Sequence, residues 1–324
     1  MATWWSSASM SDRAAARHTR YLNEADVAAL LPSISEQIDV VTAALTQVAE
    51  RRAHQPPKIA FPAGADGRFF HLMPAVVRAS GGQVAGAKWI SGGGGLPIDG
   101  LVILEDERGA TRGLVAAAGL TAARTAAVSG AAIRVARRGL ASVSRVAFIG
   151  GGVQAHSHRE MLAAEHPAAS VTFLTRRSAS ELPLRAGDRV AENAEEALRD
   201  ADLLITAAAF GTEARALPLG LLAPDATIIA IDYATSIRDE DLALLRAHRP
   251  VRLMTDSADQ FNATRAAGKL EGWSEISDEI GADGGAGFVG TTIVNHLGIA
   301  ACDLLLADLL LARAEERGIG TLLG

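Results

Sequence analysis

The stretch RVAFIGGGVQAHSHRE, residues 145–160, decides the fold of this chain. A short apolar strand, 146–149, runs into the three glycines Gly150–Gly152, and a segment with helical spacing, 153–165, follows. The turn Gly150-x-Gly152-x-x-Ala155 matches the dinucleotide-binding fingerprint G-x-G-x-x-G/A. In that fingerprint, the first glycine permits the tight turn, the second lets the backbone approach a pyrophosphate, and the small third residue lets the helix pack closely on the strand. The stretch therefore predicts a site for the phosphates of a nucleotide.

The sequence that follows this turn supports a bound cofactor. Glycine-rich strand-to-helix turns also occur without a ligand, so the fingerprint alone is a weak signal. Here, helical segments alternate with further apolar segments, at 171–175, 202–207, 227–232 and 251–255. This alternation is typical of an α/β fold with a doubly wound parallel sheet of the Rossmann type. We therefore expect Gly150, Gly152, Val153 and Gln154 to bind the cofactor, because the N-terminus of the helix offers free N–H groups to phosphates.

The part of the chain before the turn has a different pattern. Between residues 56 and 118, apolar segments with turns between them read as strands, and DERG (106–109) reads as a hairpin turn. Asn23 is placed to cap a helix, with Asp26 as its partner in a variant capping box. The C-terminal run IAACDLLLADLLLARAEERG predicts a long helix that ends at Gly318 and packs back on this part. The first third is therefore predicted to be α+β, with an antiparallel or mixed sheet.

The composition excludes several classes of protein. Of the 324 residues, 49% are apolar and 21% are charged, so the chain can bury a sizeable core. The net charge is −6 and Lys and Arg form no dense cluster, which argues against a nucleic-acid-binding surface. The single cysteine, Cys302, excludes a disulfide framework and a cysteine-based zinc site, and we expect no metal. No apolar run has the length of a membrane span, and residues 1–18 predict a flexible extension. These features are typical of a cytoplasmic enzyme.

The end of the second Rossmann strand predicts the choice of cofactor. NAD-binding proteins carry an acid there that bonds the ribose hydroxyls. In this chain, the strand VTFL ends in Thr175-Arg176-Arg177-Ser178, with no acid at that end. Arginine and hydroxyl side chains are suitable partners for a 2′-phosphate, which a carboxylate would repel. We therefore expect these four residues to favour NADP(H) over NAD(H); the alternative is that the two arginines are ordinary solvated surface residues.

Four further blocks of sequence carry a resemblance. They are GAKWIS, GLPIDGLVILEDERGATRGLVAAAGLTAARTAAVSGAA, VAFIGGGVQAHSH and LGIAACDLLLADLLLARAEERGIG. Their sequence and order over residues 20–322 resemble the ornithine cyclodeaminase/mu-crystallin family, and RTAA before the glycine turn is the most distinctive segment. The resemblance implies a homodimer that interconverts amino acids with imino or keto acids by hydride transfer. It also implies a substrate-binding and dimerisation domain, 19–120 with 303–324, and a dinucleotide-binding Rossmann domain, 121–302.

The resemblance assigns roles to four residues. Lys88 matches the family's catalytic lysine; in an apolar strand its pKa can be lowered so that it exchanges a proton, and it could also hold the substrate. Arg124 matches the arginine that binds the substrate α-carboxylate. Thr125 matches a residue that contacts the cofactor phosphates, and Lys58 stands where many relatives carry a carboxylate-binding arginine. For Lys88, the alternative is a surface lysine on a strand edge.

The chain departs from the family at three places. Ornithine cyclodeaminases carry an aspartate after the fifth Rossmann strand; the best gapless match here is Ala234, with Asp232 two residues earlier. Asp232 is therefore a catalytic candidate, and helix capping is its alternative role. His296 stands where relatives carry a small polar residue near the nicotinamide, so it is a candidate acid or base, with a hydrogen-bonded packing role as the alternative. The segment SGGGG (91–95) replaces the family's longer loop.

Three functions are consistent with these residues. We expect an NADP(H)-dependent reductase of an imino acid, a ketimine or a cyclic imine, that is reversible as an amino-acid dehydrogenase. Its partner would be a small imine or amino acid that bears a carboxylate, rather than a nucleic acid or a membrane. The first alternative is an amino-acid cyclodeaminase, a lyase with recycled NAD, which the arginines at 176–177 and the displaced aspartate count against. The second is a non-catalytic NADPH-binding protein, which the presence of Lys88 and Arg124 counts against.

Overall fold

The computed structural model describes a set of ranges that covers most of the chain: residues 18–62, 67–106, 108–208, 216–233, 235–270, 273, 276, 278–282 and 288–324. Residues 1–17 of the expected extension, Glu107 of the hairpin turn and Ala234 lie outside the described residues.

Eight helices are found in these ranges. In chain order they are α1 (Glu24–Leu30), α2 (Ile34–Ala49), α3 (Ala117–Ala136), α4 (Val153–Glu165), α5 (Ala194–Leu198), α6 (Asp239–His248), α7 (Ala258–Ala266) and α8 (Ala300–Arg317). The start of α1 is the predicted capping box: the Asn23 side chain accepts from the Ala25 and Asp26 N–H groups, and Asp26 accepts from the Asn23 N–H. At the other end of the chain, Gly318 ends α8 in the left-handed conformation.

The strands of the described ranges form two sheets. In chain order they are β1 (Thr19–Leu22), β2 (Ile59–Pro62), β3 (Arg68–Ala79), β4 (Gly82–Gly93), β5 (Leu96–Glu105), β6 (Thr111–Ala116), β7 (Arg145–Ile149), β8 (Ser170–Leu174), β9 (Arg189–Val190), β10 (Leu203–Thr206), β11 (Thr227–Ala230), β12 (Val251–Thr255), β13 (Asp278–Glu279), β14 (Thr291–Asn295) and β15 (Thr321–Leu323).

The first sheet is mixed and has the order β15-β1-β6-β5-β4-β3-β2. Strands β2 to β6 pair antiparallel in succession, whereas β1 pairs parallel with β6 and antiparallel with β15. The glycine segment 91–95 is the turn between β4 and β5, where Gly94 and Gly95 have φ values of 58° and 81°. A two-residue hairpin turn needs positive φ at both positions, which explains the glycines. Strand β1 and the edge strand β15 were not predicted from the sequence.

The second sheet is the predicted doubly wound parallel sheet, and its order is β13-β12-β14-β11-β10-β7-β8-β9. All of its pairings are parallel. The chain leaves β7 in one direction to β8 and β9 and later fills the other side from β10 onward. The crevice between the carboxyl ends of β7 and β10 is thus the switch point at which such sheets bind ligands. Strand β14, inserted between β11 and β12, was missed by the sequence prediction.

Helix α8 is the centre of the hydrophobic core. Leu304, Leu306, Leu310 and Leu311 are completely buried, and the helix packs on α2, β3 and β4. The helix therefore packs back on the first sheet, as predicted. Its apolar side is buried within the chain, whereas Trp89 on the outer face of the first sheet is 47% exposed.

One bent helix pair, α1 with α2, reaches the length and apolarity of a membrane span, but no single helix does within the ranges given above.

Candidate active site

An open cleft lies at the carboxyl ends of β7, β8 and β10. It has a volume of about 710 Å³ and is lined by the glycine turn, by the end of β8 and by the start of α3. This is the switch point of the parallel sheet, where the sequence placed the cofactor. Seven of the predicted cofactor-binding residues line it: Gly150, Gly152, Val153, Gln154, Thr175, Arg176 and Arg177.

The surroundings of the three glycines in the turn differ from one position to the next. Gly150 has a φ of 122°, and a Cβ there would lie 2.5 Å from the Ala207 carbonyl oxygen, so the crossing of β7 and β10 requires glycine. A Cβ on Gly151 would lie 2.7 Å from Thr175 Oγ1. A Cβ on Gly152 would have no described atom within 4 Å, so this residue faces the open cleft. Helix α4 then starts at Val153 without a side-chain cap, which fits an anionic group at its N-terminus.

An acid that sequence analysis did not consider, Glu181, lies in the short turn that follows β8. Glu181 Oε1 accepts from Arg177 Nη1 at 3.0 Å, and Glu181 Oε2 accepts from the Ser178 backbone N–H and hydroxyl. These Ser178 hydrogen bonds are the main reason that the pKa of Glu181 is lowered. Arg176 is exposed and has no ion pair with any described residue. Residues 175–178 themselves contain no acid, as predicted, but a capping box, Ser178-x-x-Glu181, folds the acid of position 181 back to them; that pattern was visible in the sequence.

A smaller inner pocket of about 150 Å³ adjoins the cleft. Thr121, Gln154, Ala207 and Ala208 line both spaces, so a ligand in the cleft can reach the pocket. The pocket brings together five of the predicted site residues, namely Lys58, Arg124, Thr125, Asp232 and His296. The Thr125 hydroxyl donates to the Thr121 carbonyl at 2.6 Å, and Thr125 lines this pocket rather than the outer cleft.

Lys88 lies behind this pocket and is completely buried. On β4 it alternates with Trp89 and points to the α8 side, next to Met73 of β3, which does line the pocket. Its Nζ donates to Asp303 Oδ1 at 2.8 Å. Burial lowers the pKa of Lys88 to about 7; the charge of Arg124 adds to this effect and Asp303 partly offsets it. The lysine is therefore close to its point of titration at neutral pH.

Asp303 is a site residue that sequence reasoning missed. Its Oδ1 also accepts from Arg124 Nε at 3.0 Å, so one buried carboxylate holds both cations. Its Oδ2 has no hydrogen-bond partner among the described residues. An aspartate at a buried position of the apolar run of α8 was the available signal, because an acid on such a face needs a partner.

Lys58 and Tyr233 join the two sheets across the inner pocket. Lys58, just before β2, donates from Nζ to the Tyr233 hydroxyl and to the Leu297 carbonyl oxygen, both at 2.5 Å. Tyr233 follows β11 and has a φ of 58°, in the left-handed region. His71 of β3 lines the same pocket, and burial, followed by the charges of Lys58 and Lys269, lowers its pKa to about 3. His71 is thus neutral at physiological pH, while Lys58 and Arg124 supply positive charge.

Asp232 is the acid on the pocket wall. Thr206 donates its hydroxyl to Oδ1 at 2.9 Å, and the Ser236 hydroxyl and the Ala208 N–H donate to Oδ2 at 2.5 and 3.1 Å. Burial raises its pKa against these hydrogen bonds. The carboxyl group is thus held in place at the ends of β10 and β11. These hydrogen bonds do not correspond to the alternative role, in which Asp232 would cap a helix.

His296 is 2% exposed and belongs to a chain of three buried side chains. Its Nε2 lies 2.9 Å from Ser129 Oγ, which lies 2.8 Å from His158 Nε2. His296 Nδ1 has no hydrogen-bond partner among the described residues. Burial lowers the pKa of His158 to about 4 and that of His296 well below its usual range. Sequence analysis did not consider Ser129 or His158.

Within the described ranges, no group of three or more His, Cys, Asp or Glu side chains is arranged to hold a metal ion.

Comparison with known proteins gives a consistent result. Residues 18–272 match the model of the ornithine cyclodeaminase/mu-crystallin family. The chain is 27% identical to the nodulation efficiency protein NfeD of Rhizobium meliloti over 333 residues, which is 94% of this chain and 98% of that protein.

Two solved structures share the fold. One is an archaeal alanine dehydrogenase dimer with bound NAD, which is 23% identical with a TM-score of 0.76 and covers 95% of this chain and 99% of that chain. The other is Thermococcus litoralis Δ1-pyrroline-2-carboxylate reductase in complex with NADH and L-proline, 22% identical with a TM-score of 0.76, covering 94% and 99%. At these identities, the similarity concerns the fold.

Proposed function

The chain belongs to the ornithine cyclodeaminase/mu-crystallin family, and we propose that it is an NADP(H)-dependent reductase of imino acids that also works in reverse as an amino-acid dehydrogenase. One observation carries the proposal: the dinucleotide cleft opens into a small pocket with Arg124 and Lys58 on its wall and Lys88, with a pKa of about 7, directly behind it. Enzymes with nicotinamide cofactors among the structural neighbours support it.

The cofactor would lie along the glycine turn. Gly152 leaves the space and the start of α4 leaves the N–H groups that a pyrophosphate needs. Arg176, exposed and without an ion pair among the described residues, would meet a 2′-phosphate; Arg177 would share its charge between that phosphate and Glu181. When bound, the nicotinamide supplies or accepts the hydride.

The inner pocket would hold the carboxylate of the substrate. Arg124 is fixed by Asp303 through Nε, which leaves its Nη1 and Nη2 groups for a bidentate contact. Lys58 adds a second positive charge to the wall of the pocket. The small volume, about 150 Å³, favours a compact imino or amino acid.

Lys88 would exchange the proton that the substrate nitrogen gains or loses. A group with a pKa near the working pH is suited to this task. Burial brings the pKa of Lys88 down to about 7, although its hydrogen bond to Asp303 partly offsets this effect. Asp232, on the pocket wall, is the next candidate.

Asp232 also favours a second function, that of an amino-acid cyclodeaminase with recycled NAD. A carboxylate held at the end of β11 could bind the side-chain amine of a diamino acid. We propose in addition that the enzyme is a cytoplasmic homodimer, with the outer face of the first sheet, around Trp89 and Ile103, as the interface.

The test is turnover of a cyclic imino acid with NADPH and with NADH, followed by absorbance. We expect NADPH oxidation, and Lys88→Met should lower kcat by about 10²–10⁴-fold, the range for a general acid. Arg124→Gln should act mainly on KM, since it holds a group that is charged throughout the reaction. Arg134→Gln, on the same helix but in a surface ion pair with Asp39, is the matched control.

The alternatives give different results. Release of ammonia from ornithine or lysine without net reduction of NAD⁺ would establish the cyclodeaminase instead. Binding of NADPH without turnover of any imine or amino acid in a broad panel would refute both enzymes.

A further inference from the structure

The His158–Ser129–His296 chain has a direction that its hydrogen bonds determine. His158 lies on α4, Ser129 on α3 and His296 just after β14, and all three side chains are buried. The chain ends in the inner pocket, whose wall includes His296. Each partner has a fixed number of protons to give, so the position of each proton can be worked out from the far end.

The far end is a backbone carbonyl. His158 Nδ1 lies 2.8 Å from the Gln154 carbonyl oxygen, which can only accept, so His158 carries its proton on Nδ1. With a pKa of about 4, the ring is neutral at physiological pH, and its Nε2 is therefore a bare acceptor. The hydrogen bond between His158 Nε2 and Ser129 must then be donated by the serine hydroxyl.

Ser129 has one proton, and His158 takes it. In its contact with His296, Ser129 Oγ can therefore only accept, so His296 carries its proton on Nε2. Burial, with the positive charges of Arg124 and Lys58 close by, keeps His296 neutral. Its Nδ1 is left with a lone pair, is buried, and has no hydrogen-bond partner in the described part of the chain. His296 is thus an acceptor and not an acid at this atom.

We infer that His296 Nδ1 accepts a hydrogen bond from the N–H of a protonated imine or of an amine, and that it thereby selects imino and amino acids over the 2-oxo acids of the same shape. The inference rests on the proposed function, because it places the substrate in the inner pocket. An oxo acid would bring an oxygen lone pair against the lone pair of Nδ1 and leave both buried without a donor. Imines hydrolyse to oxo acids in water, so the two compete for such a pocket.

Two planar carboxylates provide the test. Pyrrole-2-carboxylate has a ring N–H where furan-2-carboxylate has a ring oxygen, and neither can react. Calorimetric titration of the protein saturated with NADP⁺ is expected to show that pyrrole-2-carboxylate binds about tenfold more tightly or better. Ser129→Ala removes the acceptor of the His296 Nε2 proton, so the proton can move to Nδ1 and the preference should fall to less than about threefold.

The control is Ser157→Ala, the same change on α4, where the hydroxyl bonds only within its own helix among the described residues. It should keep the full preference. In a second measurement, which needs no variant, ¹⁵N spectra of histidine-labelled protein at neutral pH should show His296 protonated at Nε2 and His158 at Nδ1.

Equal binding of the two probes to the unmodified protein, or a proton on His296 Nδ1, would overturn this inference and leave the proposed reductase standing. If neither carboxylate binds the NADP⁺-loaded protein, the substrate pocket itself is wrong, and the proposed function fails with the inference.

Discussion

Asp303→Asn separates the electrostatic role of this residue from its size, because asparagine has nearly the same volume. The change removes the negative charge that Lys88 Nζ and Arg124 Nε approach at 2.8 and 3.0 Å, and it leaves two buried cations together. Removing one member of a buried charge pair costs about 3–5 kcal/mol. The loss of an opposite charge at this distance should also lower the pKa of Lys88 by about 1–3 units from its value of about 7.

The pH dependence of this loss follows from proton linkage. The pKa of Lys88 is lowered in the folded protein from 10.5 to about 7, so between these values the unfolded chain binds more protons and stability rises with pH. In Asp303→Asn the lower limit of this window moves further down. The variant should therefore lose more stability at about pH 6 than at about pH 9, by about 1 kcal/mol, since pH 6 lies one unit below the pKa of about 7 and one pKa unit corresponds to about 1.4 kcal/mol.

Urea unfolding at these two pH values measures the difference. Asp308→Asn is the control, because it makes the same change on α8 in a partly exposed pair with Arg112, for which a loss of at most about 1 kcal/mol is expected. The pH profile of kcat/KM should shift in parallel, with its limb near pH 7 moving to lower pH in Asp303→Asn. An equal loss of stability at both pH values, together with an unmoved limb, would refute the coupling of Lys88 to Asp303.

Three other predictions concern the cofactor and the oligomer. Glu181→Gln, which releases Arg177 from its ion pair, should raise the ratio of NADPH to NADH affinity by about threefold or more, and Arg176→Ala should lower it by about tenfold; fluorescence titrations with both cofactors would contradict the assignment if the ratio stays constant. Gly152→Ala should weaken cofactor binding by about tenfold yet leave Tm within about 2 °C, because the added methyl meets only open cleft; a large drop in Tm would show that the turn is not free there. Trp89→Glu should convert a dimer into a monomer in light scattering. A variant that stays dimeric would show that the interface does not lie around Trp89.

The fold could be predicted from the sequence where a local pattern had a local cause. The capping box of Asn23 and Asp26 and the left-handed end at Gly318 involve only neighbours in sequence, and both were confirmed. Strand β12 was placed with the bounds that the structure gives and β7 to within one residue, because each is a short apolar run between turn signals. These elements, with the resemblance, were sufficient for the Rossmann sheet and for the family.

The missed elements depend on partners that are distant in sequence. Strand β14 became a strand because β11 and β12 flank it on both sides. Strand β1 and the edge strand β15 pair residues about 300 positions apart, such as Arg20 with Leu322, and no local pattern shows such a pairing.

The residues of the candidate site also fall into those that the sequence predicted and those that it did not. Residues of the glycine turn were predicted because the motif is contiguous. Asp303 and Ser129 were not, because each acts through side chains brought to it by the fold, whereas Glu181 was missed although its partners, Arg177 and Ser178, are local. A charged or hydroxyl group within an apolar helix was the only hint for two of them.

The position of α8 and β15 has a consequence for synthesis of the chain on the ribosome. The first sheet begins at residue 19, yet the helix that covers β3 and β4 starts at residue 300, and the strand that closes the edge of β1 comes later still. The parallel sheet, whose strands lie between residues 145 and 295, is available for folding before α8 emerges. The first sheet cannot be completed until α8 and β15 have been synthesised, and the apolar side of its central strands stays uncovered until then. It is therefore the part of the nascent protein most in need of a chaperone.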